Sequence, residues 1–119
     1  MTRNSVPNPG TPAWAQRIIA AHTAVTDAVS HGGRIQSERY FVWQEDGQGG
    51  LGSDNRIGER YVTGTTDLFT KQEFDPWKDA LEASFNAGRI AWRLNSVQYE
   101  EETGFYHYEW AWGVAYGQV

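Results

Sequence analysis

Only a few residues in this 119-residue chain have the types and spacing that chemistry requires. His107 and Glu109 stand two apart in Phe105-Tyr106-His107-Tyr108-Glu109-Trp110, so on a strand both point to one face. A metal pair is geometrically possible there, but a site needs a third or fourth ligand. His22 and His31 fall at opposite ends of a helical stretch, and a structural or exposed histidine is the better reading of all three. Glu100, Glu101 and Glu102 are adjacent and face different ways. A catalytic acid and base need surroundings that drive their pKa values apart, so solvation or a partner contact explains these carboxylates better. Gly47, Gly49, Gly50 and Gly52 crowd residues 46–55 without the GxxxxGK[ST] spacing or following helix of a phosphate cradle, and predict an exposed hairpin tip. G-x-S-x-G and H-E-x-x-H are absent. There is no cysteine, which removes disulfides, thiolate chemistry and Cys-ligated zinc. The expectation is a protein without catalysis, cofactor or metal.

Composition narrows the class further. The length suits one domain with a single core. Hydrophobic residues make up 39% and aromatic residues 14%, including six Trp, so apolar content sits in large rings and favours sheet over helix. A net charge of −5 gives no cationic footprint for gripping a nucleic-acid backbone. No run approaches the length of a membrane helix, and Met1-Thr2-Arg3-Asn4-Ser5 lacks the apolar core of a signal peptide. A soluble, cytoplasmic protein is expected.

The elements follow from periodicity and punctuation. Residues 1–10, rich in Pro and Asn, predict an extended arm whose order depends on a partner, a disordered tail being the plainer reading. Residues 11–119 form the single α+β domain. Thr11-Pro12 predicts a helix start. Trp14, Ile18, Ala21, Val25 and Ala28 or Val29 keep helical spacing until Gly32-Gly33, predicting a helix over 12–30 of about five turns. From Arg34 the period becomes two, and residues 56–70 return to strand composition, with Gly58 and Gly64 as possible bulges. Asp75-Pro76 opens a second helix over 76–87, and Gly88 is assigned the left-handed residue that ends it. Residues 93–110 then read as two alternating strands joined by an acidic tip ending in Gly104, a hairpin with one buried face. Trp92, Tyr106, Tyr108, Trp110 and Trp112 form an aromatic ladder. Core packing explains it more cheaply than a stacking platform for sugar rings. The predicted architecture is a four-stranded antiparallel sheet with two helices on one face, in the order α-β-β-α-β-β.

Three phrases carry a resemblance. Thr66-Asp67-Leu68-Phe69-Thr70-Lys71-Gln72-Glu73-Phe74-Asp75-Pro76, Leu94-Asn95-Ser96-Val97-Gln98-Tyr99-Glu100-Glu101-Glu102-Thr103-Gly104 and His107-Tyr108-Glu109-Trp110 resemble small tail proteins encoded among the morphogenesis genes of long-tailed bacteriophages. The likeness covers roughly residues 62–114, and the first half shows none. The predicted element order is similar to that of tail terminator and tail-to-head joining proteins. The resemblance implies a structural virion protein: a ring of six subunits on the last ring of the tail tube, stopping its growth and meeting the head connector. DNA would pass through the lumen without specific binding. The partners implied are further copies of the chain, the tail tube protein and the head–tail connector proteins, with no membrane and no cofactor. The location implied is the virion tail or neck, after assembly in the host cytoplasm. The resemblance brings no residue-level motif. Exposure alone therefore nominates Gly49, Gly50, Leu51, Asp54, Glu100, Glu101, Glu102, His107 and Glu109 as a subunit or partner interface. A head-completion or neck adaptor and a small carbohydrate-binding module are the rival readings.

Overall fold

The structure, a computed structural model, describes residues 9–49 and 60–117. Helix α1 spans Ala13–Thr23. It buries Trp14, Ile18 and His22, residues four apart that form one stripe. Pro12 holds the cap position in an extended conformation without a side-chain bond, and the Gln16 amide donates to the Thr11 carbonyl at 2.8 Å instead of the Thr11 hydroxyl capping the helix.

The helix ends well before the predicted residue 30. Thr23, Val25, Thr26 and Val29 are β-branched and stiff at χ1, and the Thr26 hydroxyl accepts the Ala28 N–H at 3.1 Å, a local bond that competes with helix. Residues Val29–His31 then form a short strand, β1, parallel to the next strand, β2 (Arg39–Gly49), with Val29 opposite Phe41 and His31 opposite Trp43. Three or four apolar residues at spacing four satisfy a helix and a turn-plus-strand equally well, and the free side of β2 decides between them. Gly32, at φ 92°, turns the chain and closes β1 by donating to the Trp43 carbonyl at 2.9 Å. Because β1 is so short, residues 32–38 suffice to return the chain for a parallel pair. They cross the sheet as a loop, although alternation predicted strand from Arg34.

Strand β3 (Arg60–Thr70) pairs antiparallel with β2, with a bulge between Glu45 and Gly47. Helix α2 (Trp77–Ala87) follows, then β4 (Ala91–Glu100) and β5 (Phe105–Gly117). The sheet order is β1-β2-β3-β5-β4. It is five-stranded and mixed, and the element order is α-β-β-β-α-β-β. The expectation of four antiparallel strands in the order α-β-β-α-β-β is corrected by β1.

Both helices pack on one face. Ile18, Leu81 and Phe85 meet Phe41, Leu68, Trp110, Trp112 and Val114 in the main core. Two polar links are buried with them. Trp112 Nε1–H donates to the Thr66 hydroxyl (3.0 Å), Thr66 faces His22 Nε2 (2.9 Å), and His22 Nδ1–H donates to the Ile18 carbonyl (2.7 Å). Every side-chain polar atom of this His22–Thr66–Trp112 network is satisfied with His22 neutral. Asp75 accepts two bonds from Arg39, at 2.8 and 2.5 Å, and one from the Trp77 N–H at 2.8 Å, tying the start of β2 to the start of α2. Burial alone raises the Asp75 carboxyl, but Arg39, the Trp77 N–H and Thr70 together hold it below the usual carboxylate range.

At the other end of α2 the left-handed residue is Arg89, at φ 56°, while Gly88 lies at φ −87°. Gly88 N–H still bonds to Ser84, continuing the last turn, and Ile90 N–H reaches the Phe85 carbonyl at 2.9 Å. That longer bond places the reversal one residue after the predicted one. Gly64 is required by packing: a Cβ there would collide with the Trp112 indole and the Gln44 carbonyl. The observed bulges lie at Glu45/Gly47, on the strand opposite Gly64, and at Arg60/Tyr61 and Leu94/Ser96, while Gly58 lies outside the described residues.

Candidate interaction surfaces

Part of the second face of the sheet is covered by the chain itself. Tyr40, Val42 and Phe69 form a small buried cluster there with Ala28 and Phe105. The 32–38 loop lies over it, with the Arg34 guanidinium 4.0 Å from the Phe69 ring centre.

Next to this cluster three strands bring charged side chains together. His107 on β5 lies between two carboxylates: Nε2 is 2.8 Å from Asp67 on β3, and Nδ1 is 3.2 Å from Glu100 on β4. Glu100 also accepts from the Thr103 hydroxyl at 2.8 Å and from Arg34 at 3.2 Å. The bond to Asp67, opposed by partial burial and reinforced by both negative charges, raises the His107 pKa. Burial raises Glu100, but Thr103, Arg34 and His107 outweigh it and its carboxyl lies below the usual range. With both ring nitrogens engaged, His107 is a clamp linking β3, β4, β5 and the 32–38 loop. A general base needs one nitrogen free for substrate.

The residues nominated from sequence therefore separate. Glu100 and His107 are partners in this clamp and half-buried. Glu109 lies on the same face and accepts the Asn95 amide at 3.1 Å. Glu101 and Glu102 stand exposed in the turn between β4 and β5. Gly49 ends β2 opposite Tyr61, while Gly50, Leu51 and Asp54 lie outside the described residues, as do residues 1–8 of the arm. Sequence reasoning missed Asp67 and Arg34. Asp67 had a signal: an acid in a β-branched strand, in register with Glu109 and beside His107. Arg34 had none, because its reach across the sheet depends on the 32–38 loop.

The aromatic ladder is consumed by packing. Tyr108, Trp110 and Trp112 are buried, and Trp92 and Tyr106 are half-buried against the core. Among the described residues no group of three or more His, Asp or Glu is arranged to hold a metal ion, and no helix is long and apolar enough to cross a membrane.

What remains open is the far end of the β4–β5 hairpin. Beyond the bulge at Leu94/Ser96, Val97 and Tyr99 continue the helix-side face past the reach of α2, and both are exposed. Phe74, in the loop between β3 and α2, is exposed as well. β4 is the last strand of the sheet, and among the described residues nothing pairs with its outer side. Comparison with known proteins finds no family model that matches the chain and no curated protein that matches it.

Proposed function

We propose that this chain is a structural virion protein of a long-tailed bacteriophage, which assembles as a ring on the end of the tail tube and joins it to the head connector. The observation that carries the reading is the placement of the three phage-like phrases. Residues 66–76 form the end of β3 and its loop, 94–104 form most of β4 and its turn, and 107–110 lie on β5. In the sheet these strands are consecutive, β3-β5-β4, so phrases scattered in sequence make one connected half of the domain. The reading rests on those residues rather than on element order, which β1 changes.

Two features support it. A sheet ending in an unpaired strand is an aggregation hazard in a monomer and a docking edge for another protein in an assembly. Six copies of a −5 chain would also make an acidic annulus, which repels the backbone of DNA passing through it. The isolated subunit is expected to be monomeric, because ring contacts gain strength once a tube end holds neighbours at high local concentration. Adding purified subunit to tails that lack it tests this. Bound rings at one tail end by electron microscopy are expected, and binding along the tube or to heads alone would count against the reading.

A further inference from the structure

The open end of the hairpin combines three features that folding alone leaves unexplained. Phe74 is 84% exposed and sits at φ 59°, a left-handed conformation that a bulky side chain rarely adopts. Solvent and backbone both disfavour a phenylalanine there, and it makes no ring contact in the described structure. Its loop is fixed in place rather than loose: the Lys71 ammonium donates to the Thr103 carbonyl in the hairpin turn, and the Asp75 carboxylate is held by Arg39. The loop leaves β3 at Thr70, which is in register with Tyr106. Tyr106 pairs in turn with Tyr99, their ring centres 4.9 Å apart, and Tyr99 and Val97 are 55% and 50% exposed.

The second feature is backbone. Along 97–99 the outer edge of β4 presents backbone N–H and C=O groups without a described partner, as a template for one more strand. The third is charge. Glu73, Glu101 and Glu102 are exposed and carry no ion pair among the described residues. The neighbouring bases are engaged elsewhere: Lys71 with Thr103 and the Phe105 ring, Arg34 with Glu100, and Arg39 with Asp75. The apolar patch therefore has an acidic rim.

From these we infer that the distal edge of β4, together with Phe74, docks a cationic, apolar strand of a different protein. Added alongside β4, such a strand would set its apolar side chains against Val97 and Tyr99 on one face, with Phe74 as the exposed anchor. Its Lys or Arg side chains would meet Glu73, Glu101 and Glu102. A second copy of this chain is a poor occupant, since it carries a charge of −5 and a symmetric contact would bring the same carboxylates together. An anionic membrane surface is repelled for the same reason. The inference goes beyond the ring proposal and does not depend on it.

The probe is an end-blocked peptide of alternating Lys and Val, with a Glu-for-Lys counterpart as control, titrated into the full chain while backbone amide resonances are followed. Shifts confined to residues 73–74 and 97–106, weakened several-fold at about 0.5 M salt, are expected. The counterpart should not bind. V97S/Y99S changes two exposed side chains, so the fold should survive while affinity falls by about tenfold or more. Phe74→Gly should also weaken binding while raising the melting temperature, because glycine accepts the left-handed conformation. Absence of binding, equal binding of the Glu peptide, shifts elsewhere, or unchanged affinity in both variants would overturn the proposal. Self-association of the chain, or its binding to lipid vesicles, would overturn it too if V97S/Y99S abolished either.

Discussion

Acidification from pH 6.5 to 4 should destabilise this domain mainly through one residue, His22. The imidazole is fully buried, with the rings of Phe41 and Phe85 edge-on at 5.5 and 5.6 Å. Desolvation, only partly offset by the bond to Ile18, lowers its pKa from 6.5 to about 4. The folded value lies below the unfolded one, so the unfolded chain takes up the proton first as pH falls. The neutral ring's contribution is thus complete above pH 6.5 and is lost between 6.5 and about 4. At about 1.4 kcal/mol per unit, the loss reaches ~3 kcal/mol at the lower limit. That is a large share of the ~5–15 kcal/mol that stabilises a typical domain. Glu100 and Asp75, held below their ordinary values of 4.5 and 3.8, add their own losses as pH falls below those values. The assay is urea unfolding followed by tryptophan fluorescence from pH 8 to 4, for the wild type and His22→Gln. The variant should be about 2 kcal/mol less stable at pH 8, because Thr66 and Trp112 lose their network. Its stability should be nearly flat where the wild type falls. Parallel curves for the two proteins between pH 6.5 and 4.5, or a His22 ring that titrates by NMR near its unfolded value, would refute the reasoning.

Gly64→Ala should cost about 1–3 kcal/mol in the same urea assay, since the Trp112 indole and a strand carbonyl occupy the space its methyl needs. Arg89→Gly should stabilise by about 0.5–1 kcal/mol, the relief of a left-handed side chain less the extra freedom of glycine in the unfolded chain; a lower melting temperature would contradict the Arg89 cap. His107 should titrate by NMR above 6.5, and Asp67→Asn should bring it down, the bond to Asp67 being the main cause of the rise. Because its folded pKa is raised, its contribution to stability is present at pH 6 and lost as pH rises through that value.

The later half of the chain was more legible than the first, for local reasons. The β4–β5 hairpin alternates over long runs and ends in Gly104, which does take a positive φ, so period and turn residue agreed. The second helix is bracketed by Asp75 and Gly88; it starts one residue after Pro76, and its left-handed residue is Arg89 rather than Gly88. The first half failed where two periods coincide. Val25 and Val29 continue the stripe of α1, and only a non-local fact, the unpaired side of β2, turns Val29–His31 into a strand. Arg34 was invisible for the same reason, since its contacts lie on strands far along the chain. Among the candidate interface residues, exposure reasoning worked for Glu101 and Glu102. It failed for Glu100 and His107, whose charges are used within the fold to hold strands together.

The central claim, that the chain ends a tail tube and joins it to the head, is tested most directly by removing its gene and measuring tail lengths by electron microscopy. The account predicts filled heads beside unattached tails, many of them abnormally long. Tails of normal, uniform length on filled heads would contradict it, and uniform free tails beside defective heads would move the protein to the neck.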